Sequence, residues 1–180
     1  MRPFNIILCF AADIGANLTD GMFSGSYHGK KCPPPDLVHV LQRAWDAGLI
    51  RIIVTGGSLK ESKEALSLTD IDDRLFFTVR CTEFEESGDS EKHLQDLLQL
   101  TIDGVARGKL VSVAWTMIAS NFVSAETQRR YFERQFEIAE ATKLPMFLHM
   151  RAAASDFLDI IKCNQHRFIA GVVHSFTGTS

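Results

Sequence analysis

The 180-residue sequence has no excess of positive charge: 19 Lys and Arg stand against 22 Asp and Glu, giving a net charge of −3 and a pI near 6.1. That balance excludes a broad basic footprint, so any phosphate ligand must be drawn to local Lys or Arg. Cysteine is scarce and scattered. Cys9, Cys32, Cys81 and Cys163 form no C-x-x-C pair, which argues against a zinc knuckle or a disulfide frame. The expectation is reduced thiols in an intracellular protein, of nucleus or cytoplasm. No apolar run approaches the roughly 20 residues of a membrane span, so no membrane partner is expected, and no protein partner is signalled. The first apolar stretch, Phe4 to Ala12, is short and interrupted by Asn5. It reads as a buried strand in preference to a secretory segment. Two motifs are also missing. Without G-x-x-x-x-G-K or G-x-S-x-G, neither a Walker-type phosphate loop nor a serine nucleophile elbow has support.

What is present is an ordinary globular balance, 46% hydrophobic and 23% charged, long enough for one domain with a sizeable core. Strand-like and helix-like segments alternate. Apolar, β-branched runs occur at Ile6–Phe10 (extending to Ile14), Ile50–Thr55, Leu75–Val79, Leu110–Ala114, a run ending at His149, and Phe168–Val173. A Gly-rich loop through Gly21, Gly25 and Gly29 ends at Pro33-Pro34-Pro35. Leu37, Val40, Leu41, Ala44 and Trp45 then recur at helical spacing, with Asp36 as candidate cap. Ser58 and Glu61 form a capping box that opens a helix to about Thr69. Leu94, Leu97, Leu98, Ile102 and Val105 make one face of a helix running from Ser90 to Gly108. Ser124 opens a long helix with Tyr131, Phe132, Phe136 and Ala139 on its inner face. Six strands with five crossovers predict an α/β fold with a parallel sheet. An open doubly wound sheet fits this length, whereas a (β/α)8 barrel typically needs about 250 residues. Periodicity alone does not choose.

The chemistry concentrates near the end of the sequence. Met146-Phe147-Leu148-His149 and Val172-Val173-His174 each finish an apolar run with a histidine. If both runs are parallel strands, the imidazoles emerge at one sheet edge and can hold a divalent metal there. Strand-end hydrogen bonding is the competing reading. Arg151 follows at the position where a planar fork can grip phosphate, or simply make a surface ion pair. Asp13 and Asn17, at the end of the first strand, can supply oxygen to the same edge, while Asp20 reads as a loop cap. Ser175 and Thr177 either bind a ligand or shape the turn at Gly178. His28, His39, His93 and His166 read as solvated or structural.

At these residues the chain resembles the TatD family of metal-dependent deoxyribonucleases. The matching blocks are Asp13 to Asp20, Arg51 to Gly56, Phe147 to Arg151 and His174 to Gly178, with the Tyr131–Pro145 helix and its exit. Tyr27 to Lys30 and Glu83 to Asp89 favour the eukaryotic branch. The resemblance implies a (β/α)8 TIM-barrel-type metal hydrolase. It implies a Mg, Mn or Zn ion held by two histidines, a glutamate after the fourth strand and an aspartate after the eighth. Carried over residue by residue, His149 and His174 match the histidine ligands. Asp13 stands as a weaker metal ligand, and Arg151 as a substrate-binding residue. The implied reaction is attack of a metal-activated water on a DNA phosphodiester.

Three departures qualify that reading. Val79 runs straight into Arg80-Cys81-Thr82-Glu83, where the family carries a Gly-Val-His-Pro-like segment. Ala114-Trp115-Thr116-Met117-Ile118-Ala119 replaces the Gly-Glu-x-Gly-Leu-Asp-like segment that brings the glutamate. The eighth-strand aspartate would lie beyond Ser180. The expectation is therefore a single domain over residues 1–180 that lacks the C-terminal part of the barrel, with about six strands and impaired hydrolysis. A frame shift or a misplaced exon boundary in the coding sequence is the hypothesis for the second departure. One codon string for Leu-Asp-Tyr-Asp-Arg-Leu-Gln-Phe-Cys, read one base late, yields Trp-Thr-Met-Ile-Ala-Ser-Asn-Phe, the sequence of Trp115 to Phe122. A nucleotide sequence with no Gly-Leu-Asp-like segment in another frame would refute this. Two other functions fit the residues: an inactive binding or regulatory remnant, or a metal-dependent hydrolase of an amide or lactone.

Overall fold

The computed structural model describes residues 11–27, 30–31, 35–80, 90–118, 125–151 and 154–174. Six parallel strands form one sheet: β1 (Ala11–Ala16), β4 (Leu49–Thr55), β5 (Leu75–Arg80), β6 (Leu110–Ile118), β7 (Met146–Arg151) and β8 (Gly171–His174), neighbours in that order. β2 (Ser26–Tyr27) and β3 (Lys30–Lys31) form a separate antiparallel hairpin. Five helices make the crossovers: α1 (Leu37–Asp46), α2 (Leu59–Leu68), α3 (Ser90–Ala106), α4 (Ala125–Thr142) and α5 (Ala154–Asn164).

Each sheet strand pairs with the next one in sequence, so the sheet advances in one direction only. A doubly wound sheet would reverse its order at a switch point. This one curls as a barrel wall instead. A Cβ built on Gly15 of β1 would lie 3.5 Å from Nε2 of His174 on β8, so the His174 ring comes close to the opposite edge strand. The barrel-type fold class is the one observed.

Strand alternation divides the side chains between two faces. On β5, Leu75, Phe77 and Val79 pack into the core beneath the helices, which leaves Phe76, Thr78 and Arg80 on the opposite side. A second core lies under α4 and α5. There Phe132 meets Phe136 at 5.1 Å and Phe157 at 5.7 Å between ring centroids. Burying each such ring contributes about 1.5–3 kcal/mol.

Several boundaries differ from the sequence reading. The first strand runs on to Ala16, and its expected start at Ile6–Phe10 lies outside the described residues. The Gly-rich loop contains a 3-10 turn at Gly21–Ser24 and the β2–β3 hairpin. Asp36 occupies the N-cap position of α1, but its side chain makes no capping bond. In the capping box, Ser58 Oγ accepts from the Glu61 N–H at 3.1 Å, while Glu61 accepts from Gly57 and not from Ser58. Ile102 and Val105 are exposed. The buried stripe of α3 is Leu94, Leu97, Leu100, Thr101 and Gly104, because a Cβ on Gly104 would fall 2.7 Å from Phe77, and only glycine lets the helix approach that closely. Gly108, at φ 67°, ends the turn that follows. β6 continues four residues past Ala114 because Trp115 to Ile118 pair in register with Leu148 to Arg151. β8 is shorter than expected and begins at Gly171, since Phe168 packs with the α4–α5 core instead.

Candidate functional site

All six strands of the sheet contribute to one cavity of about 200 Å³ at their carboxyl ends. Its lining is Gly15 (β1), Thr55 (β4), Arg80 (β5), Ala114 (β6), Phe147 and His149 (β7), and His174 (β8). The in-register pairing of β7 with β8 sets His149 directly beside His174, and their ring centroids are 5.8 Å apart. Phe147 stacks on His174 at 5.4 Å and 27°, which fixes the plane of that imidazole. Pairing of β6 with β7 puts Thr116 opposite His149, so positions 116, 149 and 174 form one row across the edge.

Arg80 is the cavity-lining cation that sequence reasoning did not single out. The signal was available: β5 is an apolar run ending in a cation of the same parity as Phe76 and Thr78. Its backbone is anchored to α2, because Ser62 Oγ donates to the Arg80 carbonyl at 3.3 Å and accepts from its N–H at 3.2 Å. Ser62 is fully buried, which holds this strand end in place. On the far wall, Thr55 Oγ1 donates to the Ala16 carbonyl at 3.5 Å and ties β4 to β1.

The other expected site residues are distributed less favourably. Asp13 is exposed and does not line the cavity; its Oδ1 accepts from the Gly15 N–H at 2.9 Å. Asn17 accepts from Thr19 at 3.3 Å. Asp20 caps the 3-10 turn through a 2.9 Å bond from the Met22 N–H, as its loop-cap reading required. Arg151 ends β7 in register with Ile118, and its side chain lies outside the described residues, as do His28, Ser175 and Thr177. His39 and His166 are exposed; His93 is half-buried on α3, and burial pushes its pKa down against the opposing pull of Asp96. Cys163 is an exposed free thiol, and the other three cysteines lie outside the described residues.

A divalent ion needs oxygen donors to offset its charge and complete its coordination. The described lining offers two imidazoles and no carboxylate, and among the described residues no three His, Cys, Asp or Glu converge. The permanent charge of Arg80 shares the space. This donor set does not fit a catalytic metal centre; it amounts to the nitrogen half of one. Among the described residues, no helix is long and apolar enough to cross a membrane.

Residues 13–180 match the family described as TatD related DNase. Deoxyribonuclease Tat-D of Schizosaccharomyces pombe is 35% identical over 178 residues, covering 93% of this chain and 57% of that protein. The 3'-5' ssDNA/RNA exonuclease TatD of Edwardsiella piscicida is 33% identical over 168 residues, covering 93% and 60%. The crystal structure of a hydrolase TatD family protein from Entamoeba histolytica superposes with a TM-score of 0.83 at 32% identity, covering 93% of this chain and 58% of that one. The chain thus spans three-fifths or less of the length of these relatives.

Proposed function

The chain belongs to the family of TatD related DNases, and from that premise we propose that the protein hydrolyses phosphodiester bonds of DNA. The observation that carries the proposal is the in-register pair His149 and His174, opening into a cavity fed by every strand of a barrel-type sheet. The names of the fission-yeast and Edwardsiella relatives support a nucleic-acid substrate. In this reading His149 and His174 are the nitrogen donors for a Mg, Mn or Zn ion. Asp13, two positions before the cavity-lining Gly15, is a candidate oxygen donor, and Arg151 grips a phosphate. The protein works inside the cell.

Because the described residues offer half a donor set, metal binding by this chain should be weak and its hydrolysis far below that of a full-length relative. Calorimetric titration with manganese and zinc tests the assignment. The His149→Ala/His174→Ala double variant should lose the affinity of the wild type, and equal affinity in the two proteins would remove the histidines from the site. The lack of a described carboxylate favours a second reading, binding of nucleic acid without turnover. Cleavage of DNA by the wild type on addition of any of the three metals would eliminate it.

A further inference from the structure

Gln135 of α4 is fully buried, and neither its Oε1 nor its Nε2 has a hydrogen-bond partner among the described residues. Such a group has given up its bonds to water with nothing to replace them. Its level in the fold indicates what it should meet. α4 is the crossover from β6 to β7, so it runs back along those strands. The helix ends at Thr142, and β7 begins at Met146, opposite Val113 of β6. From that shared end, Gln135 lies about 10 Å along the helix axis. A similar distance along β6 beyond Val113, at about 3.3 Å per residue, reaches positions 115 and 116. Of the two, position 115 shares the helix-facing side of the strand with Val113, which packs in one core with Ile138 of α4.

Trp115 is the first residue of the stretch that has a second reading in another frame. There β6 does not stop at Ala114 but runs on, pairing Trp115 to Ile118 with Leu148 to Arg151. That ladder commits to β7 main-chain groups that a chain leaving the sheet after Ala114 would keep free. A carboxamide suits such a chain, because its oxygen accepts from a peptide N–H while its nitrogen donates to a peptide carbonyl. We infer that Gln135 is a docking residue for main chain that leaves β6 after Ala114, and that the stretch from Trp115 displaces its partner. The inference rests on the reading-frame hypothesis for that stretch. It requires neither a metal nor turnover.

Urea unfolding of two chains tests this: the protein itself, and a version with Trp115 to Phe122 replaced by Leu-Asp-Tyr-Asp-Arg-Leu-Gln-Phe-Cys. Gln135→Met keeps the side-chain volume and removes the polar atoms. In the protein itself the substitution should raise the folding equilibrium constant roughly 5- to 30-fold, because an unpaired buried amide disappears. In the replaced chain it should lower that constant by a similar factor, because a paired amide is lost. The Gln135 side-chain amide protons should also move downfield in the replaced chain, the signature of a hydrogen bond gained. Should the replaced chain not fold, Trp115→Asn offers a second carboxamide level with Gln135. A double-mutant cycle of Trp115→Asn with Gln135→Met should then show favourable coupling. Three results would overturn the inference: Gln135→Met that leaves the protein itself no more stable, a substitution that stabilises both chains alike, or a Trp115→Asn cycle without coupling. None of them bears on the titration of His149 and His174, so this inference and the proposed hydrolysis fail separately.

Discussion

At the amino end of the sheet, Arg74 lies 4.1 Å over the Trp45 ring and donates to Asp72 at 2.6 Å. At the carboxyl end of the adjoining strand β5, Arg80 lines a cavity beside two imidazoles. Lys109, just before β6, repeats the amino-end pattern, with its Nζ 3.1 Å from Asp73 and 5.7 Å from the Phe76 ring centroid. The two ends use the same residue types for opposite purposes. Where cations meet acids and aromatic faces, charge ties the segments before β5 and β6 to each other and, through Trp45, to α1. At the carboxyl end, the described lining sets one cation, Arg80, beside two imidazoles, Thr55 and Phe147, with no acid among them. A barrel-type fold divides its ends in this way, stability at one and chemistry at the other.

The sharpest way to break this comparison is to remove the ring beneath Arg74. Trp45→Ala deletes a half-buried indole of α1 and the cation–π contact together, and should cost about 2–3 kcal/mol of stability. Urea unfolding measures the loss. Zinc titrations, performed under native conditions, should match the wild type. A ligand affinity that fell with the stability would show that the two ends are not separable.

How far the sequence revealed each end follows from what kind of signal each one leaves. The runs closed by His149 and His174 were legible, because an apolar run closed by a histidine survives any uncertainty about register, although β7 continues past His149 to Arg151. The barrel-type curl was legible only through the family resemblance, since strand order is a long-range property and alternating strands and helices also suit an open sheet. Arg80 was overlooked because its role depends on parity along β5, which becomes visible only when Phe77 and Val79 are seen under the helices. The amino-end clamp was equally hidden, as Trp45 reads as one more apolar position of a helix until Arg74 is found across it. Ile102 and Val105 were misplaced for a related reason: a helical stripe several residues wide does not announce its centre, and Gly104 set it.

Position 116 offers a test at the other end. Register places it in one row with His149 and His174, and Thr116→Glu adds a carboxylate at that position of the row. Affinity for manganese or zinc should rise by at least about tenfold. The gain should grow further when Arg80→Gln removes the competing cation. Calorimetry of the single and double variants measures both gains. A Thr116→Glu protein that binds metal no better than wild type would mean that the row of positions does not converge on one point.

The smallest effect is a matter of pH at the amino end. The hydrogen bond from Arg74 holds the Asp72 carboxyl down at about 2, against an ordinary value of 3.8. A carboxylate whose pKa is lowered by folding stabilises the folded state only while it is charged. Its contribution is therefore fully present above about pH 4 and is lost as pH falls through about 2. Arg74 is partly exposed, so solvent screening reduces the effect to about 1 kcal/mol. Other carboxylates titrate over the same range, and the comparison must be made by difference. Urea midpoints of the wild type and Asp72→Asn should be separated at pH 5 and draw together by pH 2. The carboxyl end responds differently, because its permanent charge on Arg80 does not titrate there. A separation that held constant from pH 5 to pH 2 would mean that the ionisation of Asp72 contributes nothing to stability, and that whatever Asp72 adds at that end of the sheet does not depend on its charge.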